Sequence, residues 1–297
     1  MKTREYKVTQ VVAHLVLATG SLIAIFPILI LFSSSFTEQA TVIQFGYNVW
    51  PRKFGLEAYE YLWQQKDQIL RAYGVTALVT VIGTVANVIV TSLMAYPLSR
   101  YDLPGRNIFS FLVFFTMLFN GGLVPTYLMY TEYFHIKNTL FALLVPSLLM
   151  SPWYVFLMRT NLSSMVPMAI IEAATIDGAS EFRIFRTIVL PMGRPIIATV
   201  ALFSGIAYWN DWYNGMIYLT KSELFSIQNL LNRMLADIQF LSTNAAMAGN
   251  MSEMAASIPG TTVRMAIAAV GILPIIIIYP FVQNNFVKGI AIGAVKG

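Results

Sequence analysis

Glu172-Ala173-Ala174-Thr175-Ile176-Asp177-Gly178-Ala179, running on through Phe182 and Phe185 to Leu190-Pro191, forms a polar interruption between two apolar blocks of membrane length. Pro167 stands where a helix can start and Gly178 where one can stop, so the spacing predicts a helix over 167–177 of about three turns. Ala173 and Ala174 present almost no side chain, which lets a partner surface approach the backbone, and Glu172 adds a charge to the same helix. Beyond Gly178, Ser180 is placed to cap a second helix. In it Phe182, Phe185 and Val189 fall at i, i+3 and i+7, with Arg183, Arg186 and Arg194 on the wet side. A hairpin that only anchors on lipid would fill its apolar face. Ala-Ala followed by Asp-Gly-Ala leaves that face nearly empty, which favours a protein partner outside the membrane.

Outward from this segment the chain is apolar, with 57% hydrophobic and 11% charged residues against about 25% charged in a soluble domain. The fold class expected is therefore an all-α polytopic membrane protein. A span needs about 20 mainly apolar residues, and six stretches qualify: 12–35, 71–97, 107–130, 139–158, 194–219 and 263–286. Six crossings put both termini on one side. That side carries 11 basic and 5 acidic residues, against 8 and 9 on the other, so the positive-inside rule makes the termini and the Glu172 segment cytoplasmic. The basic balance thus reports orientation, and nucleic acid need not be invoked. The apolar run after Lys2 and Arg4 is too long for a signal peptide and lacks a small-residue cleavage site, so it is read as an uncleaved first helix.

Two regions are expected: 1–70, a transmembrane helix with an external loop, and 71–297, a core holding the loop at about 163–194 and a C-terminal tail. The loop 36–70 reads as water-facing, with a short interfacial helix and Trp50 and Trp63 at headgroup level. Pro104-Gly105 makes a tight turn held in the cytoplasm by Arg100 and Arg106. Asn120-Gly121-Gly122 and Pro125 loosen or kink the third span; close packing through small residues and a water-filled lumen both account for them. The outer segment 220–262 is polar and Met-rich with little hydrophobic periodicity, suited to a helix and loop capping a cavity.

What is missing also constrains function. With no Cys and two scattered His, disulfides, thiolate metal sites and a zinc cluster are not expected. No Gly-x-x-x-x-Gly-Lys-Ser/Thr phosphate loop occurs, so no catalytic residue is assigned and no cofactor is expected in this chain.

Tyr208-Trp209-Asn210-Asp211-Trp212-Tyr213-Asn214 lies toward the outer half of the fifth span. Ser204, Tyr208 and Asp211 share one helix face at i, i+4 and i+7. Aromatic faces beside hydrogen-bonding groups suit sugar rings, so Ser204, Tyr208, Asp211 and Trp212 are candidates to line a passage. An aromatic belt with Asp211 in water accounts for the same pattern. Asn120, Tyr127 and Asn87 are weaker candidates, since single buried polar groups often serve helix–helix hydrogen bonds.

Taken together, Glu172-Ala-Ala-Thr-Ile-Asp-Gly-Ala, Phe185-Arg-Thr-Ile-Val-Leu190-Pro191 and Pro195 resemble the coupling loop of ABC importer permeases. Ala95-Tyr96, Ser99-Arg100, Pro104-Gly105-Arg106, Trp209-Asn210 and the ending Val295-Lys296-Gly297 narrow the resemblance to the carbohydrate-uptake branch. Within it the chain is similar to the shorter, six-helix permease of maltose-type importers, from about residue 70 to the end. The resemblance implies a type I importer permease fold in the bacterial cytoplasmic membrane. It implies a second homologous permease, two ATP-binding cassette subunits holding ATP and Mg, an external solute-binding protein and a glycan substrate, all within membrane lipid. It also assigns coupling to Glu172, Ala173, Ala174, Asp177, Gly178, Ala179, Phe182, Leu190 and Pro191, and to a tail, Val295, Lys296 and Gly297, that reaches between the ATPases. In maltose-type pairs the larger permease can hold the sugar, leaving this subunit a passage without affinity. Two rivals remain: an ABC permease for a non-sugar solute, and an ion-driven secondary transporter. The second lacks the intramembrane acids that ion pathways need, Asp211 excepted.

Overall fold

The computed structural model describes residues 4–247 and 260–294. The described residues are helical apart from turns and one isolated bridge between Thr37 and Phe54. Helices α1 (Arg4–Ser35), α2 (Gln39–Phe45) and α3 (Glu57–Gln64) precede the long α4 (Lys66–Ser99). Next come α5 (Arg106–Leu118), α6 (Leu123–Leu128), the single turn α7 (Phe141–Leu144), α8 (Pro152–Met165) and α9 (Met168–Ile176). The chain continues through α10 (Glu181–Ile184), a wide turn over Phe185–Val189, α11 (Leu190–Met192), α12 (Arg194–Trp209), α13 (Tyr213–Tyr218), α14 (Ile227–Met247) and α15 (Gly260–Ala294). Two compact units result, one built from residues up to Asp67 with Leu231–Ile275, the other from Gln68–Leu230 and the chain from Ile276 onward.

In the first unit α1 is apolar all round and buries none of its most apolar window against the rest of the chain. Its last turn is tied down. Ser35 Oγ and the Tyr59 hydroxyl share a 2.8 Å hydrogen bond, the Phe36 and Tyr59 rings stack at 4.7 Å, and Lys53 pairs with Glu38 at 2.8 Å. Gln39 Oε1 accepts from both the amide and the hydroxyl of Thr262, each at 3.0 Å. The segment expected as a loop with one short helix is thus an ordered cap with two.

In the second unit α4 is built inside out. Its buried seam is small or polar (Ala72, Thr76, Val79, Gly83, Asn87, Thr91), while Leu78, Val81, Ile82, Val85, Ile89 and Leu93 stay exposed. In lipid the large apolar side chains need no burial, and small ones let helices meet closely. A Cβ on Gly83 would fall 2.4 Å from Tyr208 Cζ, and one on Gly205 3.3 Å from Thr84 Oγ1, so α4 and α12 cross through these glycines.

Three of the expected spans need correction. The stretch 107–130 is not continuous: after Leu118 the axis turns by 113° through Asn120-Gly121-Gly122, where Gly122 has φ 84° and the Asn120 side chain accepts from the Gly122 amide at 2.9 Å. The stretch 139–158 is not one helix. Phe141–Leu144 makes one turn, the backbone is irregular to Ser151, and α8 begins only at Pro152. Pro146 and Pro152 supply no amide to continue a helix. The stretch 194–219 breaks between Trp209 and Tyr213. Three long helices, with three bent pairs counted as one span each, still bring the number of possible crossings to six. Segment 220–262 also differs from its reading: Ile227, Leu230, Leu231, Met234 and Ile238 form a buried stripe on α14, a helical period that the surrounding Asn and Met had obscured.

Candidate functional site

The Glu172 segment folds as two short helices at the end of α8. Pro167 precedes α9, which ends at Ile176, and Gly178 adopts φ 78°, the left-handed turn that an L side chain resists. Ser180 then accepts from the Arg183 amide at 3.4 Å, capping α10. Ile171, Ile184, Phe185 and Val189 are buried in the core shared with α4, α8 and α12. The opposite side of α9 is open: Glu172, Ala173 and Asp177 are exposed, Ile170 is 41% exposed, and Ile176 is 86% exposed. An isoleucine so placed on a polar tip has no partner within this fold.

The pair of alanines divides. Ala173 faces outward, whereas Ala174, with Ala179, packs partly buried against the core, so the two are not one open surface. The expected aromatic face divides as well: Phe185 and Val189 are buried and Phe182 is 68% exposed. Leu190 is half-buried and Pro191 exposed, beside Phe182 on the wall of a groove. Val295, Lys296 and Gly297 lie outside the described residues.

A charged knot that the sequence reading missed holds this segment to the end of α4. The Tyr96 hydroxyl donates to Glu181 Oε2 at 2.9 Å, and the Arg100 guanidinium donates to Glu181 and, through Nε at 2.9 Å, to Asp102. The Tyr96 ring lies 5.4 Å from that of Phe185. Hydrogen bonding to Arg100 holds the Asp102 carboxyl below its ordinary value, and Asp102 in turn raises Arg100. Arg106 Nε donates to the Leu98 carbonyl at 2.8 Å, closing the end of α4. In the sequence Arg100 and Arg106 mark orientation and part of the family resemblance; nothing local ties Arg100 to a residue 81 positions away.

The passage candidates separate into two groups. Ser204 and Tyr208 are 1% and 2% exposed, inside the subunit and facing neither lumen nor headgroups. Tyr208 donates to the Leu144 carbonyl at 2.8 Å, Asn214 Nδ2 to Pro146 at 3.0 Å, and Asn87 Nδ2 to Leu148 at 2.8 Å. Three side chains thus reach carbonyls between Leu144 and Leu148, and that of Pro146 also accepts from the Leu148 amide at 2.8 Å, so this irregular backbone is paired as buried backbone requires. Asp211 braces the break after α12: its Oδ1 accepts from the Asn214 amide at 3.2 Å and its carbonyl from Ser226 Oγ at 3.0 Å. Trp212 is 42% exposed, Asn120 is exposed, and the half-buried Tyr127 stacks on Tyr218 at 5.8 Å. No group of three or more metal-ligating side chains occurs among the described residues.

Residues 101–292, which include both short helices and the break after α12, match the family described as binding-protein-dependent transport system inner membrane component. The chain belongs to this family. Among its relatives, the chain is 37% identical over 279 residues to the polygalacturonan/rhamnogalacturonan transport system permease protein YtcP of Bacillus subtilis, covering 93% of this chain and 94% of that one. It is 35% identical over 295 residues to protein LplC of the same organism, covering 99% and 97%. Its fold also matches a chain in the crystal structure of a bacterial ABC transporter involved in the import of the acidic polysaccharide alginate. That match has a TM-score of 0.76 at 28% identity and covers 96% of this chain and 98% of the other. The chain therefore has the helical type I importer permease fold, and the Glu172 segment lies inside the part of it that matches the family.

Proposed function

We propose that this chain is the non-catalytic permease subunit of an ATP-driven importer of oligosaccharides, driven through α9. The carrying observation is the open tip of that helix, where Glu172, Ala173 and the 86% exposed Ile176 offer a charge, a close-approach point and an unburied apolar knob to a partner. That partner is an ATP-binding cassette subunit, one of two that hold ATP and Mg, with Val295-Lys296-Gly297 reaching the same layer. A second homologous permease completes the pathway, and an external solute-binding protein delivers the glycan. The charge asymmetry supports cytoplasmic termini and a cytoplasmic α9. Relatives named for polygalacturonan/rhamnogalacturonan and for arabinooligosaccharides support the sugar class. Of the residues considered for the passage, Trp212, Tyr127 and Asn120 are the ones a sugar could reach from outside the subunit.

The test is a comparison of Ala173→Trp and Ile176→Asp with wild type in the purified complex. Both sites point away from the core, so the subunit should insert and fold normally while ATPase subunits fail to co-purify or hydrolysis loses its response to loaded binding protein. Full transport in both variants would sink the coupling role. Trp212→Ala, measured as uptake per purified complex, should slow passage several-fold with hydrolysis retained.

A further inference from the structure

The second unit carries a groove beside the open tip of α9, and Phe182, Leu190 and Pro191 are the coupling candidates on its wall. One part, about 430 Å³, lies between the end of α4, the turn after it and α10, lined by Leu93, Tyr96, Phe182 and Phe185 among others. A second part, about 560 Å³, runs on between α4 and the start of α12 over Val88, Ile89, Leu93, Leu190 and Ile197. The two share Leu93, Phe182 and Phe185. Each lies within the roughly 300–1,000 Å³ of ordinary ligand sites. The floor is apolar, and its direction is set by α4: exposed Leu93, Ile89, Val85, Ile82 and Leu78 follow one another along a single helix face away from the groove.

Two guanidiniums also line the groove. Arg186 and Arg194 line the second part, both exposed, and neither has an ion-pair partner among the described residues. Glu181, the acid on the groove wall nearest in sequence, is already engaged by Arg100. Two such cations beside an apolar channel match a molecule with an anionic head and a long hydrocarbon tail. Basic pockets between transmembrane helices bind such headgroups, at about 1 kcal/mol per Lys or Arg near the surface.

We infer that this groove is a binding site for one anionic phospholipid, its phosphate held by Arg186 and Arg194 and an acyl chain laid over Phe182, Leu93 and Ile89. The inference rests on the permease reading only for the leaflet into which the groove opens. Its charge logic is local: Arg183, on α10 but not lining the groove, has no place in the site.

The test is native mass spectrometry of the purified importer, released from detergent containing equal phosphatidylglycerol and phosphatidylcholine with identical chains. Wild type should retain phosphatidylglycerol over phosphatidylcholine by about tenfold. R186Q/R194Q should lose that preference and R183Q should keep it. Ile89→Trp, which blocks the tail channel and leaves both arginines, should release lipid as well. No preference in wild type, or equal loss from R183Q, would overturn the site. So would a wild type without bound lipid whose second permease falls away in R186Q/R194Q, because the groove would then be a subunit interface. The leaflet is read separately: the chain has no Cys, so Ser164→Cys, exposed at the end of α8, labelled only from the cytoplasmic side supports the orientation. Labelling from outside would reverse the leaflet while leaving the lipid result intact.

Discussion

Tyr208 illustrates how a residue chosen for one role can be needed for another. Its spacing from Ser204 and Asp211 suggested a sugar-facing stripe, yet its ring closes on Gly83 and its hydroxyl on the Leu144 carbonyl. Periodicity identifies a helix face but not what covers it, and the irregular segment that needs the hydroxyl is not visible in a hydropathy pattern. Tyr208→Phe should leave that carbonyl without its partner, at a cost of about 1–3 kcal/mol. Gly83→Ala should cost a similar amount through overpacking, about 1–3 kcal/mol, because the added carbon would sit 2.4 Å from the ring. If the ring is the obstacle, Gly83→Ala should be nearly harmless in a Tyr208→Leu background. Thermal inactivation of the detergent-solubilised protein measures each of these forms, and an equal loss in both backgrounds would contradict the contact.

Among the elements, the pair α9 and α10 was the most legible, because three of their four ends are set by a residue with a local backbone reason: Pro167, Gly178 and Ser180. The path from Leu144 to Ser151 and the stripe on α14 were not, since the first is settled by distant side chains and the second by burial that composition hides. The knot joining α10 to the end of α4 was equally invisible, and it carries a pH dependence. Asp102 is held below its ordinary value by its hydrogen bond to Arg100. Its contribution is therefore present above the unfolded carboxylate value, roughly pH 4, and is lost as pH falls through the lower folded value. The Asp102 side chain is about half exposed to solvent, so the effect is modest. Hydrogen-exchange protection factors over 100–106, corrected for the intrinsic pH dependence of exchange, should fall in acid for wild type. Asp102→Asn should have low protection already at neutral pH and show little further change. Arg100→Gln should loosen α10 as well, since it also releases Glu181, and should uncouple hydrolysis from transport more than Asp102→Asn does. Identical acid profiles for wild type and Asp102→Asn would remove this account.

For the whole molecule, six-crossing topology comes from apolar length and the sign of the loops, both additive along the chain, while the bends come from pairings that are not. The carbonyls of Leu144, Pro146 and Leu148 have a further consequence for synthesis. Leu148 is met by Asn87, which leaves the ribosome first. Pro146 has a near partner in the Leu148 amide, but the side chains that reach Leu144 and Pro146 are made 64 and 68 residues later. A nascent chain cannot shed this stretch into hydrocarbon while its backbone lacks partners, so it must wait in an aqueous or chaperoned setting until α12 and α13 arrive. In ribosome-arrested chains carrying Leu149→Cys, the thiol should react with a water-soluble maleimide when synthesis stops before Tyr208. It should be protected once the chain runs well past Asn214. Protection already complete in the shorter chains would mean that this segment enters the bilayer without help from the helices made after it.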